Sequence, residues 1–288
     1  MIYSAKYCFA FLMIFMLTGE RKNDFKNMLD KDLSQWETYL SYKHMSGYNG
    51  KLPTDESGNP VEPVGYNKKQ DVFTVALKSG EPVLKVSGEI YGCIYTKQEY
   101  ENYHFKAKVK WGNRKWTPRE DKLRDTGILY HSIGECGVDY WRAWMLSQEF
   151  QIMEGHMGDY WSIANSNIDI RSYIGEGTMN PVANEKQPFL NIREQGSFCL
   201  RSENHESPAG EWTQLELICF KGKSIHIVND HVVMVLKNSR YGATGSESPL
   251  EKGKIQIQSE GAEAYFKDVF IKEINKLPEQ YDVLFKDL

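Results

Sequence analysis

The stretch N-Y-H-F-K-A-K-V-K-W, residues 102–111, alternates without a break. Phe105, Ala107, Val109 and Trp111 share one parity, and His104, Lys106, Lys108 and Lys110 share the other. A period of two puts one set on a buried face and the lysines toward water, the signature of an antiparallel strand with one wet side. The same period returns on both sides of it. Residues 72–77, 83–86 and 91–96 read as short strands before it. After it, T-Q-L-E-L-I-C-F (213–220), K-S-I-H-I-V (223–228), H-V-V-M-V-L (231–236), K-I-Q-I-Q-S (254–259) and Y-F-K-D-V-F-I-K-E-I (265–274) read likewise. Gly222 and Asn229-Asp230 supply the turns. Many short strands with turn signals and little helix predict an all-β chain, a sandwich or jelly roll of two antiparallel sheets.

Outward from this core the pattern weakens. Residues 1–19 contain Lys6 and an apolar run, 7–17, too short to span a bilayer; they read as a signal peptide with no clean cleavage site, and predict an exported chain, periplasmic or secreted, with no membrane span once mature. Residues 20–70 read as an arm packing on the domain. Its first part, with Phe25, Met28, Leu29, Leu33, Trp36 and Leu40 three and four apart, predicts a short helix; the Pro- and Gly-rich remainder predicts a loop. The jelly-roll domain is expected over 71–275 and a polar tail over 276–288. Cys93, Cys136, Cys199 and Cys219 contain no C-x-x-C spacing and read as free thiols rather than zinc ligands.

The net charge of −4, with basic residues dispersed, argues against nucleic acid as a partner. The polar residues that ask for a function lie between 124 and 161. In Q-E-F-Q-I-M-E (148–154), Phe150 and Ile152 share the parity of a buried face. Glu149, Gln151 and Met153 then point to the other, open face. Glu154 would be buried by a straight strand and needs a bulge or turn at Gly155 to re-aim it. Asp125, Tyr130, His131, His156 and Asp159 fall within the same strands and loops, and Trp141, Trp144 and Trp161 flank them. Acids and amides among flat aromatic faces suit a small carbohydrate: hydroxyls bond the polar groups and ring C–H faces stack on the indoles. His131, Glu149, His156 and Asp159 also offer mixed nitrogen and oxygen ligands to a divalent metal, and loop carboxylates are what calcium takes, but the spacing matches no metal motif.

Trp36, T-K-Q-E-Y-E-N-Y-H-F-K-A-K-V-K-W (96–111), D-T-G-I-L-Y-H (125–131), Q-E-F-Q-I-M-E, G-E-W-T-Q-L-E-L (210–217), the hairpin over Asn229, G-K-I-Q-I-Q-S-E-G (253–261) and F-K-D-V-F-I-K-E-I (266–274) occur in an order that resembles the 3-keto-disaccharide hydrolase family. The resemblance spans roughly residues 33–274, nearly the whole mature chain. It implies a concanavalin-like jelly roll and cleavage of 3-keto glycosides, beside a sugar 3-dehydrogenase that makes the substrate. The chain departs from the family pattern at Asp125-Thr126-Gly127, where N-S-G is usual, at His131, where a basic residue often follows the strand, and in the long loop 112–124. A ketone at C3 acidifies the C2 proton, so such a site needs a base, an acid for the leaving oxygen and a donor beside the C3 oxygen. On this reading Glu149 is the base, His131 the acid or the donor to the ketone, and Glu154 the alternative acid. Asp125, Tyr130, Trp144, Gln151, His156, Asp159 and Trp161 bind substrate. A non-catalytic carbohydrate-binding sandwich and a two-carboxylate glycosidase are the competing readings.

Overall fold

A computed structural model describes residues 25–286; the signal peptide expected over 1–19 lies outside them. The strand Tyr103–Lys115 sits in the middle of a twelve-stranded antiparallel sheet, between Thr213–Phe220 and Ala262–Glu273. The register sets Phe105 against Leu217 on one side and Ile271 on the other, so apolar rows continue from strand to strand. Lys106 and Lys108 face outward and pair with Glu216 at 3.0 Å and Asp268 at 2.9 Å.

A second, eight-stranded sheet stacks on the first. Its order runs Phe198–Cys199, Tyr160–Ile163, Trp144–Met153, Asp125–Val138, Lys254–Ser259, Gly92–Thr96, Trp36–Leu40, Gly65–Tyr66. Neighbours distant in sequence, such as Asp125–Val138 beside Lys254–Ser259, show the chain crossing repeatedly between sheets. This is the jelly-roll sandwich of two antiparallel sheets that the alternation predicted, in the concanavalin-like form that the resemblance implies. Ile128, Tyr130, Phe150, Ile152, Ile255 and Ile257 of the second sheet meet Phe105, Val109, Leu215, Leu217 and Phe266 of the first in one buried core. The opposite parity of the second sheet is thereby turned outward, where loops and the arm cover it.

The helix expected at the start of the arm is absent over its described part. Lys26–Asn27 pairs with Phe270 and Ile271, and Trp36–Leu40 pairs with Gly92–Thr96. Between them the Asp30 carboxylate accepts the N–H groups of Asp32 and Ser34, and Leu33 takes φ 50°. That turn interrupts the three-and-four spacing, and the aromatic, β-branched W-E-T-Y-L segment pairs as a strand. The tail docks rather than trailing: Arg171 donates to the carbonyls of Leu284 and Lys286, and Leu277 packs with Ile218, Ile225 and Ile227. Among the described residues no helix is long and apolar enough to cross a membrane, and all four cysteines are free.

Candidate functional site

On the outer face of the second sheet lies a pocket of about 440 Å³. Its floor comes from adjacent strands: Asp125 from Asp125–Val138, Glu149, Gln151 and Met153 from Trp144–Met153, and Glu260 just past Lys254–Ser259. Trp144 and Trp141 wall one side. Tyr140 and Trp161, both substantially exposed, form the rim. Trp144 is fixed by donating Nε1–H to the Gly92 carbonyl at 3.0 Å, and Trp161 leans on Phe198 with ring centroids 4.3 Å apart.

Arg119 descends onto this floor from the loop 116–124, shorter than the 112–124 expected because the strand Tyr103–Lys115 runs on through its first four residues. Its Nη2 lies 2.6 Å from Asp125 Oδ2 and 2.5 Å from Glu260 Oε1. The loop is pinned above Glu260, because Trp116 N–H donates to the Gly261 carbonyl at 2.8 Å and Arg119 N–H to the Trp116 carbonyl at 2.7 Å. Gly261 has φ +74°, and a Cβ there would lie 2.8 Å from Arg119 Cγ, so glycine permits both the turn and the close approach.

Asp125 and Glu260 therefore share one guanidinium, and the buried Glu149 carboxyl lies within the field of all three groups. Burial pushes Asp125 well above its ordinary 3.8, and the Glu260 charge adds to this against the pull of Arg119. Glu149 is pushed well above 4.5 by burial and then by the Glu260 and Asp125 charges. Glu260 is raised by burial, with Arg119 opposing. One cation cannot compensate three anions in a desolvated space, so the cluster titrates as a unit and retains a proton above the normal carboxylate range.

The floor also presents unmet acceptors. No hydrogen bond of good geometry reaches Oδ1 of Asp125, Oε1 of Glu149 or Oε1 of Gln151, nor either amide atom of Gln258, which is buried beneath the floor beside Glu149. Buried polar atoms without partners are costly in a folded chain and mark a place that a ligand or water completes. A hollow of similar size, about 470 Å³, opens between Asn184, His205 and His231, but none of the unpartnered buried side chains lines it.

Gly127 makes room for this arrangement. A Cβ at that position would lie 2.5 Å from both Glu149 Oε1 and Gln258 Oε1, so the two side chains cross over the bare backbone. Gly127→Ala is expected to displace the Glu149 carboxylate and to lower turnover by about 10²-fold, since misplacing a reacting group by an ångström costs that much. Steady-state rates beside a thermal melt separate this from a folding defect.

The structure gathers Asp125, Trp144, Glu149, Gln151 and Trp161 at the pocket, and puts the other expected site residues elsewhere. His131 sits in a β-bulge with φ 52°, which breaks the strand's alternation. Its ring turns away from the pocket to Tyr103 and Tyr130, and burial lowers its pKa to about 4. It is a neutral core histidine, which removes it as acid or ketone donor. Glu154 is re-aimed at the end of its strand, but onto Arg124 at 2.8 Å and outside the pocket. Tyr130 points between the sheets, its hydroxyl 3.0 Å from Ser224 Oγ. Asp159 is fully buried and holds Arg201 at 3.0 Å and His156 at 3.1 Å, tying the turn after Met153 to the segment at 199–201. Of the four residues weighed as metal ligands only His156 and Asp159 meet, and among the described residues no group of three acids, histidines or cysteines is arranged to hold a metal.

Sequence reasoning missed Arg119, Gln258 and Glu260. The last two carried a signal: in K-I-Q-I-Q-S-E-G, Gln256, Gln258 and Glu260 alternate against Ile255 and Ile257, the same pattern that singled out Glu149 and Gln151. Arg119 has no local signature, because a charged loop is silent about which of its residues turns inward.

The domain described as 3-keto-alpha-glucoside-1,2-lyase-like matches residues 24–272. Similar solved structures include two putative glycosyl hydrolases from Parabacteroides distasonis. One is 17% identical over 85% of this chain and 91% of that one, TM-score 0.45; the other is 15% identical over 88% and 100%, TM-score 0.47. Domain 4 of an extracellular arabinanase from Geobacillus stearothermophilus, in complex with arabinotriose, is 14% identical over 87% and 100%, TM-score 0.39. No match was found among the curated proteins.

Proposed function

Because this chain belongs to the family of 3-keto-alpha-glucoside-1,2-lyase-like domains, we propose that it cleaves 3-keto glycosides by elimination followed by hydration. The observation that carries the reading is the buried cluster of Asp125, Glu149 and Glu260 around Arg119. Elimination needs one carboxylate to take a proton and one carboxylic acid to give one. A cluster that holds fewer protons than carboxyls supplies both.

The steps follow from the chemistry of the ketone. Glu149 takes the C2 proton, made acidic by the adjacent C3 carbonyl. The electron pair moves onto the C3 oxygen as an enolate, where the Arg119 guanidinium stabilises it. The enolate collapses, forms the C1–C2 double bond and breaks the bond from C1 to the glycosidic oxygen. The departing oxygen takes the proton held on the Asp125–Glu260 side of the cluster. Water then adds across the double bond and releases the free keto sugar. Arg119 replaces His131 in the electrophilic role expected from sequence, and the paired carboxyls replace Glu154 as acid.

The unmet atoms of the lining residues Asp125, Glu149 and Gln151 are oxygens, which favour a ligand rich in hydroxyl donors. A uronic acid would bring a further carboxylate against three acids and one arginine, so neutral sugars are the expected class. Trp141 and Trp161 offer the flat faces on which such rings stack, with the buried Trp144 behind them. The apolar run 7–17 supports export, and a sugar 3-dehydrogenase is the kind of enzyme that would supply the ketone.

Incubation with a 3-keto disaccharide, its unoxidised parent and the matching 3-keto uronide tests the reading. Cleavage of the neutral keto form alone is the expected outcome. Cleavage of the parent as well means an ordinary glycosidase, and binding without cleavage means a carbohydrate-binding module.

A further inference from the structure

Cys93 and Cys136 stand with their sulfurs 3.8 Å apart in the apolar cluster behind the pocket, with Tyr39, Tyr91, Leu129, Trp144 and Met145 around them. Cys93 lies in the middle of its sheet, held by Tyr39 on one side and Gln258 on the other. Cys136 lies beyond the irregularity at Tyr130, on the part of Asp125–Val138 that leads into the aromatic tip 139–143. Its backbone N–H donates to the Tyr66 hydroxyl at 2.8 Å, which fixes it over the sheet. Cys199 and Cys219 pack in two other clusters, so among the described residues each of these sulfurs has one cysteine within reach. A disulfide bond is about 2 Å long, so the two sulfurs need to close by less than the width of an atom.

We propose that Cys93 and Cys136 form a reversible intrachain disulfide that clamps the pocket's aromatic tip to the sheet. The segment it closes runs from residue 93 to residue 136 and contains both Arg119 and Asp125. The cross-link therefore restrains the loop that carries the guanidinium as well as the tip that carries Tyr140 and Trp141. The oxidant is a small-molecule disulfide. The thiolate of Cys136, which alone of the pair has any solvent exposure, attacks one sulfur of it and expels one thiol. Cys93 then attacks the mixed disulfide at Cys136 and expels the second thiol. Two protein thiols are oxidised, one disulfide is reduced to two thiols, and the two thiol protons end on the departing thiolates. Closing a loop of this length restricts the unfolded chain more than the folded one.

The test uses the full chain, both folded and refolded from denaturant, with oxidised glutathione. The expected results are an intact mass lower by two hydrogens and a non-reduced peptide joining Cys93 to Cys136. The thermal midpoint should rise by about 5 °C, an increase reversed by dithiothreitol and absent from Cys93→Ala and Cys136→Ala. The proposal is overturned if both thiols remain alkylatable after refolding in oxidant, if a glutathione adduct persists on Cys136, or if either cysteine joins Cys199 or Cys219. A cross-link that leaves the midpoint unmoved overturns the clamp.

Discussion

Glu149→Gln is expected to lose about 10²- to 10⁴-fold in turnover of a 3-keto glycoside, the usual worth of a positioned general base, while becoming more stable than the parent as pH rises. Both effects come from one cause. Burial, reinforced by the Glu260 and Asp125 charges, raises the Glu149 pKa well above 4.5 in the folded chain. The folded state then holds the proton over a range in which the unfolded chain has released it. Stability is present in full below about pH 4.5 and declines as pH climbs through the raised folded value. Glutamine keeps the shape and carries no proton, so its share of that decline disappears. Removing the charge at 149 also relieves Asp125, whose pKa is raised for the same reasons. Thermal midpoints taken from pH 4 to pH 8, beside kcat at each pH, read both effects. Parallel stability curves for the two proteins would show that Glu149 is not strained by its burial, and an unchanged kcat would remove it as the base.

What could be read from sequence, and what could not, divides along a physical line. Alternation reports which face of a strand a residue takes, provided the strand stays regular. It therefore separated Glu149 and Gln151 from Phe150 and Ile152 and put Lys106 and Lys108 on the wet side. It failed at His131, where one residue in the left-handed region interrupts the alternation of its strand. It failed again in the arm, where apolar residues of two short strands and a turn imitate a helical stripe. Asp159 and His156 looked like site residues because they are polar and adjacent to the right strand, yet their partner Arg201 lies 42 residues on from Asp159 and makes them a structural tie. Arg119 was illegible for the converse reason. Its role is set by Asp125 and Glu260, which reach it only once two strands far apart in sequence have paired through the sheet. The family resemblance and the alternation pointed to the same fold; the composition of the charge cluster required tertiary structure.

Arg119→Met is expected to lower turnover by about 10²- to 10³-fold, as loss of an oxyanion-stabilising donor does, and to destabilise the chain by an amount that depends on pH. The guanidinium touches Asp125 and Glu260 through the same nitrogen, at 2.6 and 2.5 Å, and both carboxylates are almost wholly buried. Without it the two acids keep their desolvation and lose their counter-charge, so their folded pKa values rise further above 3.8 and 4.5. Below those values both acids are protonated folded or unfolded, and the penalty reduces to the lost packing of the arginine stem. Above them the unfolded chain ionises freely while the folded one must either hold protons or bury unpaired charge. The penalty grows with pH, toward about 3–5 kcal/mol near neutrality, the range for breaking a buried pair from one side. Arg119→Lys restores the charge without the planar fork and should recover stability better than rate. Urea denaturation of the three proteins across pH 4 to pH 8 distinguishes this account from simple loss of packing. A deficit in Arg119→Met that is the same at both ends of the range would mean that the guanidinium does not balance the acids. The elimination mechanism would then have lost both its electrophile and the reason its carboxyls share a proton.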